Sequence, residues 1–415
     1  MSASTKQTWL NPEIQLGREA GLAALKPTPA QLERGLELHA QATVVDTYGF
    51  SIFASPDNQR FIDAMEKDLS PLARKQIYVD TIMTRMAEDD EQRRYFHEAW
   101  QAAGVTCVIR NSGEEGNRPL RMIERLAHNT YVTDRLEGIM ARATKADHIR
   151  QAKAKNQHCF IYTTNGVPLS LMDEDKYDEL RYIRIFRQLG VRMMHMTYNR
   201  QNILGGGCGE TNNTGLSDLG RDAVAEMNKQ GVIVDVAHSS WQVALDAARC
   251  TTRPIVVSHA ACAAVNMHCR GKSDEVIRAV ASTGGLMGIA AIPAFLGHSG
   301  DINALLDHID HVVKVAGVDH VAIGTDNSTP LPASAGDPQR PANYLSAMPK
   351  HLQSHWPVND ALYDPHWNQE SMIRSLTWTN WPLYTVGLVM RGYSDSDILK
   401  IIGGNTLRVL ASADE

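Results

Sequence analysis

The sequence predicts an α/β protein, a closed (β/α)8 TIM barrel, on three observations. Eight short runs rich in β-branched residues recur along the chain, and stretches with apolar residues at helical spacing alternate with them. That alternation calls for parallel strands joined by helical crossovers. No GxGxxG follows any of the runs, so an open nucleotide-binding sheet lacks its phosphate loop and the closed barrel is favoured. A chain of 415 residues has room for two average domains or one large barrel. The unbroken alternation points to one barrel domain over 42–415 behind a helical lead-in over 1–41.

Taken in order, PTPAQLERGLELHAQ starts a lead-in helix at a Thr-Pro cap. ATVVDTYGF (Ala42 to Phe50) is the first strand, and a long helical stretch runs from Pro71 to Ala103. VTCVIRNSG (Val105 to Gly113) is the second strand, with a helix expected from Pro119 to Ala143. HCFIYTTNG (His158 to Gly166) is the third and VRMMHMTYN (Val191 to Asn199) the fourth, followed by the Gly-rich loop ILGGGCGETNNTG. Strands five and six, Val232 to Val236 and Pro254 to Val257, flank a helical run from Ser240 to Cys250. GGLMGIAAIP (Gly284 to Pro293) and HVAIGTDNS (His320 to Ser328) complete the eight. Residues 330–367 are rich in Pro, His and Trp without periodicity, an irregular excursion over the barrel mouth, and YSDSDILKIIGGNTLRVLAS closes the chain as a helix pair.

Composition sets limits on function. Hydrophobic content of 43%, charged content of 21% and a net charge of -6 are those of an ordinary globular protein, and give no support for nucleic acid or an anionic membrane as partner. The six cysteines show no CxxC pair and read as reduced thiols. The first residues have no apolar leader, no run approaches the roughly 18 apolar residues of a membrane span, and RVLASADE is too polar for a lipid-anchor signal. The expected location is the cytoplasm.

The chemistry concentrates at strand ends. In GVIVDVAHSSWQVALDAARCTTRPIVVSHAA (Gly231 to Ala261), two successive strands each run into a histidine, His238 and His259. The C-terminal edge of a parallel barrel is where ligands and catalytic groups collect. The eight strand ends present Tyr48, Asn111, Thr164, Tyr198, His238, His259, Ile292 and Asp326. Two imidazoles and a carboxylate, His238, His259 and Asp326, make a three-ligand set with an open position, as a hydrolytic zinc ion needs. Asp326 also fits a plain turn, since TDNSTP is rich in turn formers. Arg270 sits where a rim guanidinium would grip a carboxylate, and a helix-starting surface arginine is the plainer reading. Cys208 and Glu210, on the Gly-rich loop, are weaker candidates for an extra ligand or base, and His268 and Cys269 weaker still. His195, inside strand four, reads as structural; His308 and His311 read as solvated.

These residues carry a resemblance. LGVRMMHMTYNRQN, TGLSDLGRDAVAEMNKQGVIVDVAHSS, RPIVVSHAACAAVNMHCRGKSDEVI, VAIGTDN and GGNTLRVL, in that order, resemble the membrane (renal) dipeptidase family from Ala42 onward. The resemblance implies a barrel of the metal-dependent hydrolase type, a two-zinc site and dipeptide hydrolysis. It places the second zinc site at His238 and His259, the strand-eight aspartate at Asp326 and the carboxylate-binding arginine at Arg270. Elsewhere the pattern departs. The family's DGHND is here DTYGF, putting Tyr48 and Phe50 at two ligand positions; Thr164 stands nearest the bridging glutamate, and Tyr198 replaces the strand-four histidine. Phenylalanine offers no ligand atom and threonine is a poor bridge, so the chain reads as a divergent branch with one metal, zinc being expected.

The expectation is therefore a mononuclear hydrolase of small amides, a dipeptide or an N-acyl amino acid held by Arg270. Asp326 would shuttle protons, Tyr198 would stabilise the oxyanion, and Tyr48 would fill the vacated metal space and lend its hydroxyl to the substrate. A lactam hydrolase, a lyase or isomerase working through the tyrosines, and a catalytically silent barrel binding small carboxylates remain as alternatives. A homodimer is a prior drawn from the family alone, and whether Thr164, Cys208 or Glu210 rebuilds a second metal site is left open.

Overall fold

Each of the eight β-branched runs forms a strand; seven are shorter than their runs because the ends turn into loops, while the sixth, expected over Pro254 to Val257, begins at Val256 and continues to Cys262. They are β1 (Val45–Gly49), β2 (Cys107–Asn111), β3 (His158–Thr164), β4 (Val191–His195), β5 (Ile233–Asp235), β6 (Val256–Cys262), β7 (Leu286–Ile289) and β8 (Val321–Ile323). Every neighbouring pair from β1 to β8 is parallel, and spatial order equals chain order. This computed structural model describes residues 9–113, 116–170, 175–344 and 354–414.

The barrel is nearly closed. Between β8 and β1 the strand ladder gives way to individual hydrogen bonds: the Asp326 N–H donates to Tyr48 O at 3.0 Å. The buried Asp46 accepts from the Thr325 N–H (2.9 Å) and hydroxyl (2.6 Å) and from Trp378 Nε1 (2.9 Å). Inside, Val45, Ile109, Ile161, Met193, Ile233, Val256 and Leu286 are buried together, a packed interior of branched and flexible side chains. The opposite strand faces pack under the surrounding helices.

Several elements differ from the sequence reading. The stretch 71–103 is two helices, Pro71–Glu88 and Asp90–Ala103, broken at Asp89, whose carboxylate caps the second by accepting from Glu91 N and Gln92 N. The helix from Pro119 stops at Arg135, and Met140–Arg142 adds a short strand beside β3. His308 is buried rather than solvated: it accepts the Cys262 N–H (2.9 Å) and donates to Leu296 O (3.0 Å), because its helix packs that face inward. His311 is half-buried against Asp274 (2.7 Å). The lead-in forms two helices, Pro12–Leu25 and Pro29–Gln41. Residues 345–353 of the expected excursion lie outside the described residues; the rest includes 3-10 turns at Ala361–Tyr363 and Pro365–Asn368, and Trp356 stacks on Phe295 near the mouth. The chain ends in Asp395–Leu399 and Asn405–Asp414 around a π-helical turn. No helix among the described residues is long and apolar enough to cross a membrane.

Candidate active site

Strands β5 and β6 bring the two strand-end histidines together. His238 Nε2 lies 2.9 Å from His259 Nε2, and both side chains are buried. His238 Nδ1 donates to Asn199 Oδ1 (2.7 Å), and His259 Nδ1 meets the Ser258 hydroxyl (2.7 Å). Fixing the outer nitrogens in this way aims both Nε2 atoms inward. Burial first, then the Arg270 charge, hold both histidines well below the ordinary imidazole range. Neutral imidazole is the form that ligates a cation. With its proton on Nδ1, His238 presents a bare lone pair towards His259.

Asp326 approaches from β8, its Oδ2 3.8 Å from His259 Nε2. Its backbone is left-handed, φ 51°, an uncommon conformation for a non-glycine residue and one found at functional sites. Tyr198 stacks on His238 (ring centroids 4.2 Å apart) and Tyr48 on His259 (3.8 Å). The Tyr48 hydroxyl donates to Asn165 Oδ1 at 2.7 Å. Arg270 is fully buried, its Nη2 donating to His259 O (2.7 Å) and its guanidinium 5.3 Å from the Phe295 ring centre. Its Nε and Nη1 have no hydrogen-bond partner among the described residues.

The sequence reading missed His195 as part of this cluster. Its ring lies 5.3 Å from His238 and 5.4 Å from His259, and the three sets of ligand atoms fall within 4.8 Å of one another. His195 Nδ1 donates to Thr164 O (2.8 Å) and Nε2 sits 2.9 Å from Asp235 Oδ2. Burial alone would raise the Asp235 pKa, but the His195 charge and hydrogen bonds from His195 and Ser258 hold it below the usual range. The signal was strand alternation: Met193 and Ile233 point into the barrel, so His195 and Asp235, two residues on and paired in register, do too.

The side chains gathered here include donors of the kind that hold a metal ion. His238, His259 and Asp326, with His195 beneath, offer nitrogen and carboxylate donors around one point. At the other positions Phe50 has no donor and the Thr164 hydroxyl is given to Gly166 O (2.8 Å). Glu210 accepts from Gln201 N (2.9 Å) and lies 3.8 Å from Arg200, serving as a loop brace. Cys208 Sγ contacts Asn199 Oδ1 (3.1 Å), beside His238 rather than among the imidazole nitrogens. Against burial, the Cys269 hydrogen bond and the Arg270 charge pull the Cys208 thiol down to about 6. The loop carrying it needs glycine: a Cβ at Gly207 would meet the Asn199 backbone at 2.2 Å. A cavity of about 400 Å³ opens beside this loop, lined by Cys208, Trp241, Met267, His268 and Cys269 among others.

A family model described as Membrane dipeptidase (Peptidase family M19) matches residues 50–347, a span that holds Tyr198, His238, His259, Arg270 and Asp326. The chain belongs to the membrane dipeptidase family. Dipeptidase tcpJ of Claviceps purpurea is 27% identical over 238 residues, 56% of this chain and 47% of that protein, so the chain spans about half the length of this curated relative. An amidohydrolase from Pseudomonas aeruginosa superposes with a TM-score of 0.65 at 22% identity, covering 91% of this chain and 98% of that one. A metallo peptidase from Rhodobacter sphaeroides, solved with a phosphinate mimic of the dipeptide L-Ala-D-Ala, gives 0.62 at 16% identity over 90% and 99%. At these identities the structures show a shared fold.

Proposed function

We propose that the protein hydrolyses a small amide with a free carboxylate, a dipeptide or an N-acyl amino acid, using one metal ion. The observation that carries this reading is Arg270: a fully buried guanidinium with two unpartnered donors, bonded to the backbone of His259. Leaving such donors unsatisfied costs about 1–3 kcal/mol each, and a carboxylate would satisfy one of them in a fork completed by the second Nη2 hydrogen. The dipeptide mimic bound by the Rhodobacter peptidase belongs to that substrate class.

His238, His259 and Asp326 would hold the metal, zinc by the nature of the donors. When bound, it would supply Lewis acidity, and with it hydroxide at neutral pH. The chain's own residues do the rest. Arg270 fixes the carboxylate and so places the scissile amide near the imidazoles. Asp326, on the more exposed side of His259, takes the proton of the attacking water and returns it to the leaving amine. The Tyr198 hydroxyl donates to the oxyanion, and its ring, stacked on His238, shields the site from water. His195 and Asp235 form the buried floor that keeps the two inner nitrogens in place.

Elemental analysis of protein purified without chelator, beside His238→Ala, tests the reading. About one metal per chain, lost together with dipeptidase activity in the variant, is expected; activity in a metal-free variant would refute the metal mechanism and favour chemistry through the tyrosines. Amidating the substrate's C-terminus should abolish turnover or raise KM strongly, and indifference to amidation would remove Arg270 from its role.

A further inference from the structure

One side chain clasps the excursion over the mouth to the loop after β4. Arg200 donates from Nε to Ser354 O (3.1 Å) and from Nη2 to Trp356 O (2.8 Å), so its guanidinium grips the backbone on both sides of His355. Its Nη1 donates to Gly209 O (2.9 Å), which ties the same group to the Gly-rich loop. Hydrogen bonds from a charged donor are among the stronger ones, and three on one guanidinium leave the gripped backbone little freedom. Arg200 also lies two residues after Tyr198, and Asn199 between them accepts from His238 Nδ1 (2.7 Å). The clasp therefore grows from the segment that holds His238.

The residue it presents meets the site. The His355 ring lies T-shaped against Tyr198, centroids 5.4 Å apart and planes at 80°, and Tyr198 stacks on His238, both geometries that aromatic pairs favour. A stack fixes the plane of a ring better than its place within that plane, and a second ring crossing it nearly at right angles removes that freedom. Reacting side chains keep their geometry only when neighbours lock their rotamers. We propose that His355, held by Arg200, is a positioning residue for Tyr198: it fixes the ring against His238 and so sets where the hydroxyl meets the substrate. Its kinetic consequence rests on the hydrolysis proposed above, in which that hydroxyl donates to the oxyanion; the packing of the three rings does not.

Two readouts test it, one spectroscopic and one kinetic. The full-length protein is labelled with 3-fluorotyrosine, and the Tyr198 fluorine signal, one of 12 tyrosines, is assigned by its loss in Tyr198→Phe. With the fold checked by circular dichroism, His355→Ala and Arg200→Ala should each shift or broaden that signal. His355→Phe, which keeps a ring in place, should return it towards wild type. On a dipeptide substrate, His355→Ala and Arg200→Ala are each expected to lower kcat about tenfold and leave KM within about twofold, because a misplaced donor costs transition-state stabilisation alone. His355→Phe should recover most of that loss. In a Tyr198→Phe background His355→Ala should cost nothing further, since the hydroxyl it places is gone. An equal loss in that background, a raised KM with kcat unchanged, no rescue by His355→Phe, or a fluorine signal indifferent to His355→Ala would each overturn the proposal. A wild-type protein that hydrolyses no amide, with the fluorine signal still dependent on His355, would refute the hydrolysis and not the ring contact.

Discussion

Arg270 shows how one side chain's unmet chemistry reads out as function. Lysine keeps the charge but loses the planar fork. Arg270→Lys is therefore expected to raise KM for a carboxylated substrate roughly tenfold to a hundredfold, about 1.4–2.8 kcal/mol, with kcat within about threefold, because the anchor binds ground and transition states alike. Steady-state kinetics check this, and an unchanged KM would sink the anchor role. At this scale the meeting of His238, His259 and Asp326 was legible because the runs that carry them are easy to place, although His259 lies inside β6 rather than at its end. His195, Asn199 and Asp235 were not. Their roles depend on which strand face points inward and on hydrogen bonds made across strands β3 to β6. Sequence spacing along any one strand does not carry that information; only the phase of the alternation does.

Strands and helices were legible where periodicity is strong. Seven of the eight barrel strands fall inside the expected runs, and β6, expected over Pro254 to Val257, instead runs on to Cys262. The misread helix ends, at Asp89 and Arg135, are local events: one carboxylate that caps a new helix, and a short strand gained only by pairing with β3. Helix packing gives a sharper case. Gly35 sits in the middle of Pro29–Gln41, where propensity alone favours alanine by roughly 1 kcal/mol. A Cβ there would meet Val386 Cα and Cγ2 at 2.6 Å, on the helix Trp381–Met390. Backbone cannot yield as a flexible side chain can, so overpacking, typically about 1–3 kcal/mol, outweighs propensity. Gly35→Ala is expected to lower the urea midpoint; a raised midpoint would mean the two helices can separate freely.

At the scale of the whole barrel, the seam between β8 and β1 is held by a buried carboxyl rather than a strand ladder. Burial raises the Asp46 pKa from 3.8 to about 7, although the hydrogen bonds from Thr325 and Trp378 oppose the rise. The folded protein then keeps a proton that the unfolded chain releases. The stability this contributes is full below about pH 4 and is lost as pH rises through about 7. Three pKa units correspond to about 4 kcal/mol, enough to show against the usual stability of a domain. Asparagine has nearly the same shape and does not ionise. Its amide meets the Trp378 N–H unfavourably, a cost that does not vary with pH, so the slopes and not the midpoints decide. Carboxylates held low, Asp235 among them, lend stability of the opposite pH dependence and cancel in the comparison. Urea unfolding followed from pH 4 to 8 should show the difference in stability between wild type and Asp46→Asn shrinking or reversing in favour of the variant as pH rises. Parallel profiles would mean that Asp46 ionises in the folded barrel as readily as in the unfolded chain, its three donors outweighing its burial. The seam would then be closed by a carboxylate at every pH in that range, and the barrel's stability would owe nothing to the protonation of this residue.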